Sequence, residues 1–212
     1  MNSTVQRLEN IKSLINNSNV KIVAVSKTFT YEHIEPLVEY GHVHFGENKV
    51  QEAVAKWHNI KKVNPKINLH MIGKLQSNKA KEAVNIFDYI HSLDNQKLAN
   101  LLAKYENAVK KKLKYFIQVN VANEKQKSGI GIESLDDFYY YCTKELNINV
   151  IGLMSLPPND GNEKIYFKSL MELNKSLGLK ELSMGMSGDF QEALQHETTF
   201  VRIGSSIFGE RV

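Results

Sequence analysis

The chain has a single cysteine, Cys142, among its 212 residues. An intrachain disulfide is therefore impossible, a thiolate zinc site has no second cysteine, and a reducing compartment, the cytoplasm, is the expected location. Cys142 follows Phe138 to Tyr141 in a segment expected to be helical, which makes it a core or half-buried thiol. Long apolar runs are also missing. Ile22 to Val25 is representative of those present, whereas a bilayer span needs about 20 apolar residues, so no membrane partner is expected. The opening stretch MNSTVQRLENIKSLINN spaces Val5, Leu8, Ile11 and Ile15 as an amphipathic helix and lacks the apolar core of a signal peptide. Positive charge is not concentrated: the net +4 is spread along the chain apart from Lys110, Lys111, Lys112 and Lys114, a run that reads as a solvated helix end. Nucleic-acid binding needs a dense basic face and is not expected.

What is present is a regular alternation. Short runs rich in β-branched residues occur at Val20 to Lys27, His42 to Glu47, Ile67 to Gly73, Phe87 to Leu93, Lys114 to Val121, Val150 to Leu156, Glu181 to Met186 and Phe200 to Phe208. Helical periodicity fills the gaps, as in Asn95 to Lys111 and Asn162 to Leu177. Strand and helix in turn favour a parallel sheet with crossover helices. Eight repeats favour a closed (β/α)8 TIM barrel, an α/β fold without edge strands, over the alternative of an open doubly wound sheet. One domain over residues 1–212 is expected, with 1–17 as an N-terminal helix. Pro36 lies in the first crossover helix, either in its first turn or at a kink. No residues remain for an outer helix after strand eight, so the N-terminal helix is expected to cover part of that gap.

In such barrels the chemistry lies at the C-terminal ends of the strands, and phosphate commonly binds after strands seven and eight. Lys27 ends KIVAVSK on the face shared with Val23 and Val25. If those residues fill the barrel, its amine reaches the mouth, where desolvation favours a nucleophilic amine; the other reading is a lysine that extends into solvent. SMGMSGDF, at the end of strand seven, offers backbone N–H donors and the Ser187 hydroxyl to an anion, with Asp189 in the first turn of the next helix; an ordinary glycine turn would look the same. In VRIGSSIFG, Arg202 and Gly204 share one strand face and Ser205 lies on the other. Two anion-friendly turns on adjacent strands point to a phosphate-bearing ligand. GIGI at 129–132 lacks a dinucleotide fingerprint. His42 and His44 have no carboxylate pattern around them, so no metal site is expected. His70 reads as a satisfied core histidine, or, in a barrel mouth, as a ring packing against a cofactor.

Together AVSKTF (24–29), HFGENKVQE (44–52), HMIGKLQSNK (70–79), GLMSLPP (152–158), LSMGMSGDF (182–190) and VRIGSSIFGER (201–211) resemble the motifs of the pyridoxal-phosphate homeostasis family, in order and over nearly the whole chain. The resemblance implies an alanine-racemase-like barrel (fold type III) that binds pyridoxal 5'-phosphate (PLP) as a Schiff base on Lys27. It further implies that Ser187, Gly204 and Ser205 hold the phosphate, that Arg202 faces the pyridine nitrogen, and that Asn48 is a further contact. The family commonly has threonine where Ser205 stands, which keeps the hydroxyl.

A guanidinium donates only and stays protonated, so it does not support a pyridinium as a carboxylate would, and the cofactor becomes a weaker electron sink. Racemases of this fold take a second acid/base from an additional β domain on a partner subunit, and that domain is not expected here. The implied function is a monomeric carrier or buffer of PLP for vitamin B6 homeostasis, with little or no turnover, no catalytic residues, and PLP-dependent apoenzymes as recipients. The alternative is a PLP-dependent amino-acid racemase. A Schiff-base aldolase acting on a sugar phosphate accounts for the lysine and the phosphate turns but not for the motif set.

Overall fold

The computed structural model describes residues 2–124 and 128–209. Eight parallel strands close into a barrel in chain order: β1 (Lys21–Val25), β2 (His44–Glu47), β3 (Asn68–Met71), β4 (Tyr89–Leu93), β5 (Lys114–Gln118), β6 (Val150–Met154), β7 (Glu181–Met186) and β8 (Phe200–Ile203). Closure runs through β1 and β8, with Val23 opposite Arg202 and Ala24 opposite Ile203. The open-sheet alternative is therefore excluded. Both faces of the strands are covered. Outward residues such as Ala24, Phe45, Leu69, Ile90 and Leu153 pack against helices, while Val23, Tyr89, Phe116, Met154 and Phe200 meet inside the barrel. Burial on two sides explains why the strands read as short, nearly continuous apolar runs.

The outer layer comprises α1 (Ser3–Ile15), α2 (Tyr31–Glu39), α3 (Val50–Val63), α4 (Ala80–Ile86), α5 (Gln96–Val109), α6 (Leu135–Tyr140), α7 (Glu163–Ser176), α8 (Phe190–Leu194) and α9 (Ser205–Phe208). Local sequence sets several ends. Asn95 caps α5 by accepting the Leu98 N–H at 2.9 Å, and Lys110 stops it in a left-handed conformation. Pro36 is the sixth residue of α2, so its first-turn placement is ruled out. Cys142 lies in a π-helical stretch after α6, fully buried, and burial pushes its thiol up to about 12. That thiol is an inert core group.

Strand eight is shorter than expected. It ends at Ile203, and the chain turns at once into α9, so a short helix does follow the last strand. Ser205 consequently starts a helix and does not occupy the far face of a strand. The glycine at 204 is the cause: it departs from strand geometry (ψ −83°) and frees its carbonyl to accept from Ile207 and Phe208. The expected role of the N-terminal helix is met. Val5, Leu8 and Ile11 are 4, 0 and 4% exposed, α1 packs on α9, and Arg7 donates to the Ile207 carbonyl at 3.2 Å.

Candidate functional site

A cavity of about 640 Å³ opens at the C-terminal end of the strands. Lys27, Asn48, Ser187, Arg202, Gly204 and Ser205 all line it, together with apolar Val25, Phe29, Ile72 and Leu156. The six residues singled out in the sequence thus come from the ends of β1, β2, β7 and β8 and converge on one space. Its size is within the ordinary range for a small-molecule pocket.

Lys27 lies just beyond β1, in a turn anchored by its neighbours. The Ser26 amide donates to the Gly46 carbonyl, its hydroxyl donates to Glu47 Oε1 at 2.8 Å, and its carbonyl accepts Lys56 Nζ at 2.8 Å. On the other side Thr28 has a positive φ of 70° and its amide donates to Glu52. Glu47 is the centre of this support. Fully buried between barrel and α3, its Oε1 accepts from Ser26, Lys56 and Trp57 Nε1, the latter two at 2.9 Å. Burial raises its pKa, against the opposing pull of Lys56, Trp57 and Ser26. No feature of the motif HFGENKVQE by itself marks Glu47 as a buried acceptor. The alternation His44 in, Phe45 out, Gly46 in, Glu47 out was the available signal.

The anion side is built from two turns. Gly185 has φ +93°, and a Cβ there would sit 2.8 Å from the Ala193 methyl, so the turn leading to Ser187 requires glycine. Asp189 stands at the N-cap of α8 and accepts the Met186 amide at 2.5 Å, which closes the turn. Ser187 Oγ in turn lies 3.4 Å from the Gly204 amide and 3.5 Å from the Ser206 amide. Those bonds are at the long limit, so the N–H groups at the start of α9 retain capacity for an anion. A Cβ at Gly204 would meet no protein atom closer than 3.5 Å. Packing therefore leaves room there for a ligand.

Arg202 points into the barrel, 4% exposed. Its Nη1 donates to Ser183 Oγ at 2.5 Å and its Nη2 to the Ser155 carbonyl at 2.8 Å. Burial pushes its pKa down to about 10, with Asp189 acting in the opposite sense, so it remains a cation at neutral pH. Lys27 and Arg202 are the ionisable side chains among the described residues lining the cavity.

The histidines are elsewhere. His70 is fully buried at mid-barrel, stacked on Tyr89 at 4.2 Å and hydrogen-bonded through both ring nitrogens to His44 and His91. It is the satisfied core histidine of the two readings, not part of the mouth. His42 Nε2 pairs with the His44 carbonyl at 2.9 Å. No group of three or more metal-ligating side chains occurs among the described residues.

Comparison with known proteins gives a consistent result. The family model for the alanine racemase N-terminal domain matches residues 2–212. The pyridoxal phosphate homeostasis protein of Vibrio cholerae is 37% identical over 230 residues, covering 100% of this chain and 98% of its own length. The protein of the same name from Aquifex aeolicus is 37% identical over 202 residues, covering 90% and 87%. Among solved structures, PipY of Synechococcus elongatus with PLP bound superposes with a TM-score of 0.89 at 31% identity, covering 97% of this chain and all of that one.

Proposed function

The chain belongs to the pyridoxal phosphate homeostasis proteins, within the alanine racemase N-terminal domain family, and from that premise we propose that it binds PLP as a Schiff base on Lys27 and serves vitamin B6 homeostasis with little or no turnover. The observation that carries this reading is the convergence of an amine, a pair of serine-bearing turns and a buried guanidinium on one cavity. Each feature alone has an ordinary explanation. Together they match an aldehyde, a phosphate and a pyridine nitrogen in one small ligand.

The residues present fit that ligand. Ser187, Ser205 and the amides of Gly204 and Ser206 are the phosphate donors, and no side chain at Gly204 stands in the way. Arg202, held by Ser183 and Ser155, is the partner of the pyridine nitrogen. Asn48 lines the same space and is fixed by close packing, since a Cβ on Gly73 would lie 2.5 Å from its carbonyl oxygen. Val25, Phe29, Ile72 and Leu156 supply the apolar wall. When bound, PLP contributes an electrophilic carbon and an electron-withdrawing ring.

Low turnover follows from two properties of this chain. Arg202 cannot give a proton away readily at neutral pH, so the ring nitrogen stays unprotonated and stabilises a carbanion poorly. Racemisation also needs an acid/base group on each side of the substrate, and beyond Lys27 and Arg202 the described lining is neutral.

The test is spectroscopic and chemical. Purified protein loaded with PLP should show a visible band that Lys27→Ala abolishes, and borohydride reduction should fix the cofactor's mass on the peptide containing Lys27. Attachment at another lysine would refute the assignment. Racemisation of an amino acid faster than about 1 per second, the low end of ordinary turnover, would replace the carrier reading with an enzyme.

A further inference from the structure

Inside the barrel, below the cavity, five polar side chains touch in sequence. His44 Nδ1 lies 3.0 Å from His70 Nε2, His70 Nδ1 lies 2.9 Å from His91 Nε2, and His91 Nδ1 lies 2.8 Å from Ser183 Oγ, which accepts from Arg202 Nη1 at 2.5 Å. His70, His91 and Ser183 are completely buried. His44 stands at the other end of the barrel, where it lines a second cavity of about 620 Å³ with Lys12, Lys21 and His42. The line therefore runs from one mouth of the barrel to the other, and it ends on the guanidinium assigned above to the pyridine nitrogen.

We propose that His44, His70, His91 and Ser183 are positioning residues that act as one polarised hydrogen-bond relay, holding Arg202 in place from the opposite mouth of the barrel. This rests on the PLP reading only for its consequence at the cofactor. The relay itself is a property of the bare protein.

Hydrogen-bond accounting fixes its direction. A guanidinium has no acceptor, so Ser183 Oγ must receive the Arg202 proton. Among the described residues the Ser183 hydroxyl is hydrogen-bonded only to His91 and Arg202. Its own proton therefore goes to His91 Nδ1. A neutral imidazole carries one N–H, so His91 donates from Nε2 to His70 Nδ1, and His70 donates from Nε2 to His44 Nδ1. His44 then keeps its proton on Nε2, at the second cavity. In the opposite direction the buried Ser183 proton has no acceptor, which carries the full desolvation cost of a lost partner.

The surroundings keep the relay neutral. His91 stacks on Phe116 at 4.4 Å and His70 on Tyr89 at 4.2 Å, and burial lowers both pKa values, helped at His91 by the Arg202 charge. His44 faces Lys21 of β1, His42 before β2, His70 of β3, Tyr89 of β4 with Asp88 beside it, and Lys114 of β5. Burial and the two lysines lower its pKa to about 4, against the pull of Asp88. Lys21 is itself paired with Glu181 of β7 at 3.5 Å. An imidazolium anywhere in the line would require a proton where an acceptor is needed, and the polarity would break.

The experiment is nitrogen-15 NMR of the histidine rings and the Arg202 side chain in full-length protein, with and without PLP, compared with His44→Phe and Ser183→Ala. The expected wild-type result is that His44, His70 and His91 share the Nε2–H tautomer. His44→Phe, made at the far mouth, should move the Arg202 resonances and weaken PLP binding about threefold; Ser183→Ala should weaken it about tenfold. Any other tautomer pattern in the wild type overturns the relay, as does an unmoved Arg202 signal in a folded His44→Phe protein. Should that variant not fold, His44→Asn takes its place. The tautomers are read without cofactor, so failure to bind PLP would refute the proposed function and leave the relay separately decided.

Discussion

Acidification should destabilise this protein well above the pH at which its carboxylates titrate. His70 and His91 are fully buried with pKa values held well below 6.5 by desolvation, and His42 and His44 are lowered to about 4 mainly for the same reason. The sign follows from proton counting. Between the folded and unfolded pKa values the unfolded chain binds protons that the folded chain refuses, so stability falls as pH drops below 6.5. At pH 5 an imidazole that titrates at 6.5 only when unfolded costs about 2 kcal/mol. His70 and His91 together therefore cost about 4 kcal/mol between pH 7.5 and pH 5. His42 and His44 add a similar amount at most, reduced by the solvent that reaches His44. Glu47 works in the other direction, because burial raises its pKa and the folded state keeps its proton longer as pH rises. A loss of several kcal/mol remains, a large part of the stability of a domain this size. Urea denaturation at pH 7.5, 6 and 5 measures it. Equal unfolding free energies at pH 7.5 and 5 would refute the picture of neutral, desolvated histidines.

Two substitutions test the supports of the site. Glu47→Ala leaves Lys56, Trp57 and Ser26 without their common acceptor in a buried place, and should cost about 3 kcal/mol or more together with weaker PLP binding. Glu47→Gln keeps an acceptor oxygen and should lose less on both counts; a denaturant titration and a cofactor titration read the two. Gly152→Ala would place its methyl 1.8 Å from the Glu181 carbonyl oxygen of the neighbouring strand. The β6 to β7 ladder cannot yield to a flexible side chain there, so the loss should be at least about 3 kcal/mol, visible as a lowered thermal midpoint or insoluble expression.

Most of the fold could be read from the chain because each strand is buried on both faces and each helix on one. Those two constraints write different periods into the sequence, and β7, with no capping ambiguity, falls on Glu181–Met186 as expected. The difficulty came at strand eight, where Ile207 and Phe208 are apolar and looked like its continuation. They are buried, but from a helix that begins at Ser205. Apolar character reports burial; in so short a run it does not report conformation. The mouth residues were legible because a barrel confines chemistry to strand ends. Ser183 and His91 were not, because nothing local distinguishes an inward-facing serine that accepts an arginine proton from one that only fills space.

The interior polar line also explains why Arg202 can occupy a place where a charge is expensive. A buried guanidinium survives only if its donors are met, and two of them are satisfied by Ser183 and the Ser155 carbonyl. Ser183 can serve because its own proton has somewhere to go, and that need continues through three rings until it reaches His44 at the far cavity. An apolar core at the same positions would make the barrel more tolerant of acid, but it would leave the guanidinium's partner hydroxyl unpaired. The acid sensitivity contributed by His44, His70 and His91 and the placement of the fixed cation thus draw on one arrangement, whereas His42, outside the line, adds to the acid sensitivity alone.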